Sequence, residues 1–219
     1  MKTAIISANL GNFEKSVEHV RQSIPVDFYR FTDENFPPRH RAMTPRLQAR
    51  IPKLFGWQMI PSYDYYIWVD GSFTLSSPDS AKWLIGHCQG VDAAFLKHPL
   101  RETIQQETDF IKGRINKFIT KQSSRHYLYD RYHNELFDEE MAEINADKGF
   151  DDKLLIASGY FIYKNNDRVR NLMKEWWYHI SRYNIMDQIG LSYAIYKSKC
   201  RVKIIDEDYL NTQYLKITR

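Results

Sequence analysis

Asp70 ends an uninterrupted apolar and aromatic run, Tyr65-Tyr66-Ile67-Trp68-Val69, and is followed by Gly71 and Ser72. A run of that length, bounded by Pro61-Ser62 and Gly71-Ser72, predicts a buried central strand whose carboxyl end releases the Asp70 side chain. Two chemistries suit a carboxylate there. It can hold a hard divalent cation, which prefers oxygen ligands and neutralises a diphosphate, or it can satisfy backbone amides in the turn before a glycine.

Three further groups have chemical potential. Arg46, Arg50 and Lys53 lie close together in a basic stretch that also holds Arg39, His40 and Arg41. Guanidinium forks match phosphate oxygens, so this group can cradle a diphosphate, the alternative being a solvated basic helix face. Lys97-His98-Pro99 with Arg101 follows a predicted strand, which leaves His98 free to touch phosphates, a metal or an acceptor, or to serve structure alone. Asp187-Gln188 stands at the start of a predicted helix. The aspartate is either a helix N-cap or, with the amide, a reader of sugar hydroxyls or a stabiliser of a cationic anomeric carbon.

These residues need elements to position them. Lys2 to Ser7 predicts a first strand, with Asn9-Leu10-Gly11-Asn12 as a turn before a helix presenting Val17, Val20 and Ile24 on one face. Asp27 to Phe31 predicts a second strand, and an irregular stretch runs to about Pro45. A helix is expected to begin near Pro52, since proline disfavours helical geometry in Ile51. Phe73 to Leu75 reads as a short edge strand and Asp92 to Leu96 as a longer one. Leu100 to Asp147 reads as two or three helices broken near Gly113 and Ser123-Ser124. Leu154 to Tyr163 resumes strand character, and Val169, Leu172, Met173, Trp176, Trp177, Ile180 and Tyr183 recur at helical spacing. A helix over Asp187 to Tyr196 and a closing strand over Val202 to Ile205 complete the pattern.

Alternating strands and helices predict an α/β fold with a mainly parallel sheet and helices on both faces. Ligands of such sheets sit beyond the carboxyl ends of the strands, and Asn9, Asp33 and Asp70 all fall there. With 219 residues, a single domain spanning 1–219 is expected, and no linker divides it.

The formal net charge of +4 favours an anionic ligand without marking a strong nucleic-acid footprint. Two cysteines, Cys88 and Cys200, support neither a disulfide framework nor a paired-cysteine metal site, so a reduced, cytoplasmic setting is expected. The opening apolar run is too short for a signal peptide, and no stretch approaches transmembrane length. The fingerprints GxGxxG, GxxxxGK[ST], HExxH and GxSxG are missing. Dinucleotide, P-loop, zinc-protease and serine-hydrolase chemistries therefore lose their sequence support.

Taken as a set, Pro45-Arg46, Arg50-Ile51-Pro52-Lys53, Tyr65 to Gly71, Lys97-His98-Pro99 and Asp187-Gln188 resemble the glycosyltransferase-like domain of plant turgor-regulation and mucilage-related proteins, which has microbial and phage members. The resemblance covers nearly the whole chain. It implies a GT-A-like (Rossmann-like) fold with a helical insertion around 100–147, a nucleoside diphosphate sugar as donor, a hydroxyl acceptor such as a glycan, lipid or small molecule, and a divalent cation, Mn²⁺ or Mg²⁺. A modified base of phage DNA is a minority acceptor. By the same resemblance Asn9, Gly11, Asn12 and Asp33 face the nucleotide, Arg46, Arg50, Lys53 and Lys97 the phosphates, and Asp187 and Gln188 the transferred sugar. Asp70, Ser72 and His98 would form the metal site, with Ser72 standing where the family of folds has a second carboxylate. The Asp-Gln element is similar to that of retaining family 8 enzymes, implying retention of anomeric configuration. A non-catalytic sugar-nucleotide or polyanion binding module is the rival reading.

Overall fold

The structure, a computed structural model, describes residues 1–15, 18–121 and 127–218. Among these, six strands form the main sheet: β1 (Thr3–Asn9), β2 (Asp27–Thr32), β3 (Tyr65–Val69), β5 (Ala93–Lys97), β6 (Ile156–Lys164) and β7 (Val202–Ile205), β4 being defined below. Their order is β2-β1-β3-β6-β5-β7. β1 runs parallel to β2 and β3, and β5 parallel to β7, while β6 is antiparallel to both β3 and β5. The expected mainly parallel sheet is therefore present, interrupted by one reversed strand.

Side chains alternate across this sheet, and each face buries against helices. On one face Ile6, Tyr66, Trp68 and Phe161 pack against α2 (Arg50–Met59), α7 (Asp167–Arg182) and α8 (Gln188–Ser198). Val169, Leu172, Met173, Trp176 and Ile180 of α7 are all buried, as their spacing predicts. On the other face Ile5, Ile67, Leu96 and Ile162 meet Ala81, Leu84 and Ile85 of α3 (Ser80–His87). That side is completed by a two-stranded sheet of β4 (Phe73–Leu75) and β8 (Leu215–Ile217). β8 is a strand that the periodicity does not announce, because three residues of alternating burial carry too little pattern.

The insertion predicted over 100–147 holds α4 (Ile104–Lys121), α5 (Tyr127–Tyr132) and α6 (Phe137–Ala146). Their apolar faces close on Ile185, Ile189 and Tyr193, so the insertion is clasped to the start of α8. The break expected at Gly113 does not occur. α4 runs through it, since a helix-interior glycine costs only about 1 kcal/mol and the buried Ile104, Ile111 and Ile115 hold both sides. Ser123-Ser124 lie outside the described residues.

Two other expectations are corrected. The opening helix is absent from the described residues between β1 and β2, and Val17 lies outside them. Instead Val20 N donates to Leu75 O (3.0 Å), Ser23 N to Pro78 O (2.7 Å) and the Gln22 amide to Ser77 O (3.1 Å). The Val20 and Ser23 amides and the Gln22 side chain are thus claimed by β4 and the approach to α3, which outweighs a short local helix. The helix expected near Pro52 starts earlier. α1 (Pro45–Gln48) is capped by the Thr44 hydroxyl and has proline at its first position, and α2 follows from Arg50 with Pro52 in its first turn, where the missing amide hydrogen is harmless.

Candidate functional site at the carboxyl edge of the sheet

α2 approaches the sheet so closely that a Cβ on Gly56 would stand 2.3 Å from Ile6 Cδ1. That approach lowers Arg50 and Lys53, one turn apart, onto the carboxyl edge of β3. Lys53 is fully buried, with its ammonium 5.5 Å from the Trp68 ring centroid and 5.6 Å from that of Trp176. Lys53 Nζ donates to Asp187 Oδ2 at 2.6 Å and lies 3.4 Å from Asp70 Oδ1. Arg50 Nε forms an ion pair with the same Asp187 oxygen at 3.0 Å, while its Nη2 donates to Ile185 O. Ser158, a polar residue inside the apolar strand β6, donates to Asp187 Oδ1 at 2.5 Å.

Asp187 occupies the N-cap position of α8 but makes no side-chain cap hydrogen bond. Burial alone would raise its pKa, and the opposing charges of Arg50 and Lys53 reverse that and hold it well below the usual carboxylate range. The N-cap alternative for Asp187 is therefore replaced by a buried ion cluster. Asp70 is more open, with a side chain 30% exposed. Its Oδ1 accepts from Trp68 Nε1 at 2.6 Å, and its backbone carbonyl accepts from Phe73 N at 2.9 Å.

A cleft of about 470 Å³ opens above this floor. Strand ends supply Asp70, Ser72 and Ser158, α8 supplies Gln188, and the insertion supplies the opposite wall, including Arg114, Arg131 and Tyr132. A side hollow of about 100 Å³, lined by Asn9, Glu14 and Arg46, shares Arg50, Asp70, Ser72 and Arg131 with the cleft. Arg46 stacks over the Phe13 ring at 4.1 Å. Burial raises the Glu14 pKa, reinforced by the nearby Asp70 charge.

The remaining candidates are spread along the same edge. Asp33 accepts from Gly11 N at 3.0 and 3.1 Å, tying the end of β2 to the turn after β1, where Gly11 (φ +77°) and Asn12 (φ +52°) are left-handed. Asn9 hydrogen-bonds the backbone of Glu14 through both its amide groups. Asn9 lines the side hollow, whereas Gly11, Asn12 and Asp33 line neither cavity. Lys97 borders a separate hollow of about 280 Å³ shared with His98 and Arg101. His98 Nδ1 accepts from Leu100 N and Arg101 N at 3.2 and 3.1 Å. Burial, aided by the Arg101 charge, depresses the His98 pKa to about 4.

This donor set fits a divalent cation poorly. Asp70 Oδ1 is shared between an indole donor and an ammonium, which leaves Oδ2 as its open oxygen, Ser72 offers only a hydroxyl, and His98 has backbone amides on Nδ1 and the Arg101 guanidinium 3.5 Å from Nε2. Among the described residues no three of His, Cys, Asp and Glu gather as a metal would require. Sequence reading missed Ser158, Arg114 and Arg131. Ser158 was signalled by a Ser-Gly pair within an apolar strand, but the two arginines have no local mark, because only the folded insertion turns them to the cleft.

Comparison with known proteins accords with this architecture. No curated relative matches the chain. Among solved structures, A197 from STIV is 13% identical with a TM-score of 0.41, over 100% of this chain and 95% of that one. A glycosyltransferase involved in the glycosylation of the major capsid of PBCV-1 is 10% identical with a TM-score of 0.49, over 96% and 85%. The apo structure of the WbbM bifunctional glycosyltransferase is 12% identical with a TM-score of 0.50, over 93% of this chain and 38% of that one. At 12% identity the likeness to the WbbM enzyme is one of fold alone, which is GT-A-like. None of the described helices is long and apolar enough to cross a membrane.

A family model described as TOD1/MUCI70, glycosyltransferase-like domain, matches residues 39–218. The matched region takes in Arg50, Lys53, Asp70, His98 and Asp187, and it supports glycosyl transfer as the general class of activity. By that match, the chain belongs to the TOD1/MUCI70 glycosyltransferase-like domain family.

Proposed function

We propose that the protein transfers a sugar from a nucleoside diphosphate sugar to a hydroxyl acceptor. The observation that carries this reading is the convergence of Asp70 and Asp187 on Lys53 at the floor of a cleft walled by cations. In this reading the nucleotide lies toward Asn9 and Arg46, the diphosphate crosses the basic cleft and the sugar lies over Gln188. Asp187 is saturated by Arg50, Lys53 and Ser158, so it acts as a positioning residue that fixes the start of α8 and the height of both cations. Asp70 is the carboxylate open to a ligand. Fixed dipoles and charges of this kind stabilise a leaving group most where water is excluded.

The test is a panel of nucleotide sugars incubated with the purified protein, reading released nucleoside diphosphate and the anomeric configuration of the product. Asp70→Ala is expected to keep the fold by circular dichroism and lose transfer by about 100-fold or more. Full transfer by a folded Asp70→Ala protein overturns the reading, and inversion at the anomeric carbon overturns the retaining expectation drawn from Asp187-Gln188.

A further inference from the structure

The cleft holds more positive charge than its own residues can cancel. Arg50 and Lys53 share Asp187, Lys53 also reaches Asp70, and Arg101 pairs with Glu107. Arg114 and Arg131 then stand over, with no ion pair among the described residues. The described cleft and floor thus carry five cations (Arg50, Lys53, Arg101, Arg114, Arg131) against three carboxylates (Asp70, Glu107, Asp187), with the half-buried Glu135 as a fourth carboxylate near Arg131 and Arg50, so the balance stays positive. In the adjoining hollow Glu14 feels the charges of Arg131, Arg46 and Arg50 together, without an ion pair to any of them among the described residues. His98 adds no charge near neutrality, its pKa being depressed to about 4.

Arg131 is also incompletely bonded. Its Nε is buried and has no hydrogen-bond partner among the described residues, although a buried guanidinium donor left unpaired costs about 1–3 kcal/mol. It stands at the junction of the main cleft and the side hollow, lining both. Nearby cations crowd it: burial lowers the Arg46 pKa, and the Arg131 and Arg50 charges lower it further. Arg114, one wall away on α4, lies 5.2 Å over the Phe110 ring, whose other contact is Arg101 at 4.2 Å. Such an arrangement of like charges is stabilised when an anion enters between them.

From this we infer that Arg131 and Arg114, both from the helical insertion, form a guanidinium clamp for the diphosphate of the donor, which engages without a divalent cation at Asp70. A net positive cleft with two guanidinium groups outside any ion pair among the described residues suits the negative charge on two linked phosphates. The inference deepens the proposed sugar transfer and rests on it for the identity of the donor, while the clamp itself is a statement about diphosphate binding. It assigns the insertion a ligand-binding role and explains how the cleft can dispense with the carboxylate that Ser72 replaces.

Inorganic pyrophosphate, which needs no knowledge of base or sugar, is the probe. Isothermal titration calorimetry in excess EDTA should show binding, weakened as salt rises. Arg131→Gln should weaken it by about tenfold or more and Arg114→Gln by a smaller factor, while Lys174→Gln, an exposed cation outside the cleft, should leave it unchanged. Arg131→Lys should recover part of the loss, since the point charge remains and the fork is gone. Circular dichroism of each variant reports folding, and a misfolded Arg131→Gln leaves Arg131→Lys and Arg114→Gln to decide. Binding only with added Mn²⁺ or Mg²⁺, no binding at all, or wild-type affinity in the folded arginine variants overturns the clamp. Cation-free, Arg131-dependent binding in a protein that transfers no sugar keeps the clamp and removes the transferase reading. Cation-dependent transfer with unaltered pyrophosphate binding in Arg131→Gln does the reverse.

Discussion

Lys53 and Asp187, 134 positions apart in sequence, meet at 2.6 Å with side-chain exposures of 0% and 6%. Such a pair survives burial only when each charge is fully matched, since removing ions from water costs several kcal/mol per ion. Here Arg50 and Ser158 complete the match.

Breaking that cluster on one side should therefore be costly. Lys53→Met and Asp187→Asn are each expected to destabilise the protein by about 3 kcal/mol, because each leaves one charge uncompensated in the buried cluster of Arg50, Lys53, Asp70 and Asp187. Urea denaturation of the two single variants and the double variant measures it. The double variant should lose clearly less than the sum of the singles, and strict additivity would show that the two residues do not act as a pair.

Two pH windows follow from the same region. Asp187 has a folded pKa below its unfolded value near 3.8, so its stabilisation is complete above that pH and is lost as pH falls further. Asp187→Asn should lack this acid-side decline in melting temperature.

For His98 the folded pKa of about 4 lies under the unfolded 6.5, so the unfolded chain binds the extra proton between those values. Stability should therefore fall as pH drops from 6.5 toward 4. His98→Asn places an amide oxygen where Nδ1 accepts the Leu100 and Arg101 amides, and should keep the turn while flattening that slope. An imidazole that titrates near 6.5 by NMR would contradict the assignment.

Behind the 184–187 loop lies a second buried polar set. Glu140 accepts from Asn184 and pairs with His179 Nδ1 at 2.9 Å, and Asn184 Oδ1 in turn accepts from Met186 N at 3.0 Å. Glu140→Ala leaves both partners unpaired in the interior and should cost about 2–4 kcal/mol by chemical denaturation. If Asp187 positions the cations as proposed, the folded fraction should also show a lower kcat with little change in donor KM.

Gly56 offers a packing test. Alanine there forces Ile6 aside, for an expected loss of about 1–3 kcal/mol, and adding Ile6→Val should return part of it. Equal melting temperatures for wild type and Gly56→Ala would refute the close approach of α2 to β1.

Much of this architecture was legible in the sequence, for local reasons. The apolar run before Asp70 and the helical spacing from Val169 to Ile180 each fix an element by periodicity alone, and each is found where expected. The segment before β2 misled because the Val20 and Ser23 amides and the Gln22 side chain are satisfied by residues more than fifty positions away, which no local pattern records.

The site divides in the same way. By itself the sequence determined that Asp70 would leave a buried strand at the carboxyl edge of the sheet, since five apolar and aromatic residues before Asp-Gly-Ser mark the end of a buried strand. Only the tertiary structure decided that Arg50 and Lys53 would be occupied by Asp187 while the insertion delivered Arg131 with a donor unpaired among the described residues, because charge pairing depends on distances that chain separation does not encode.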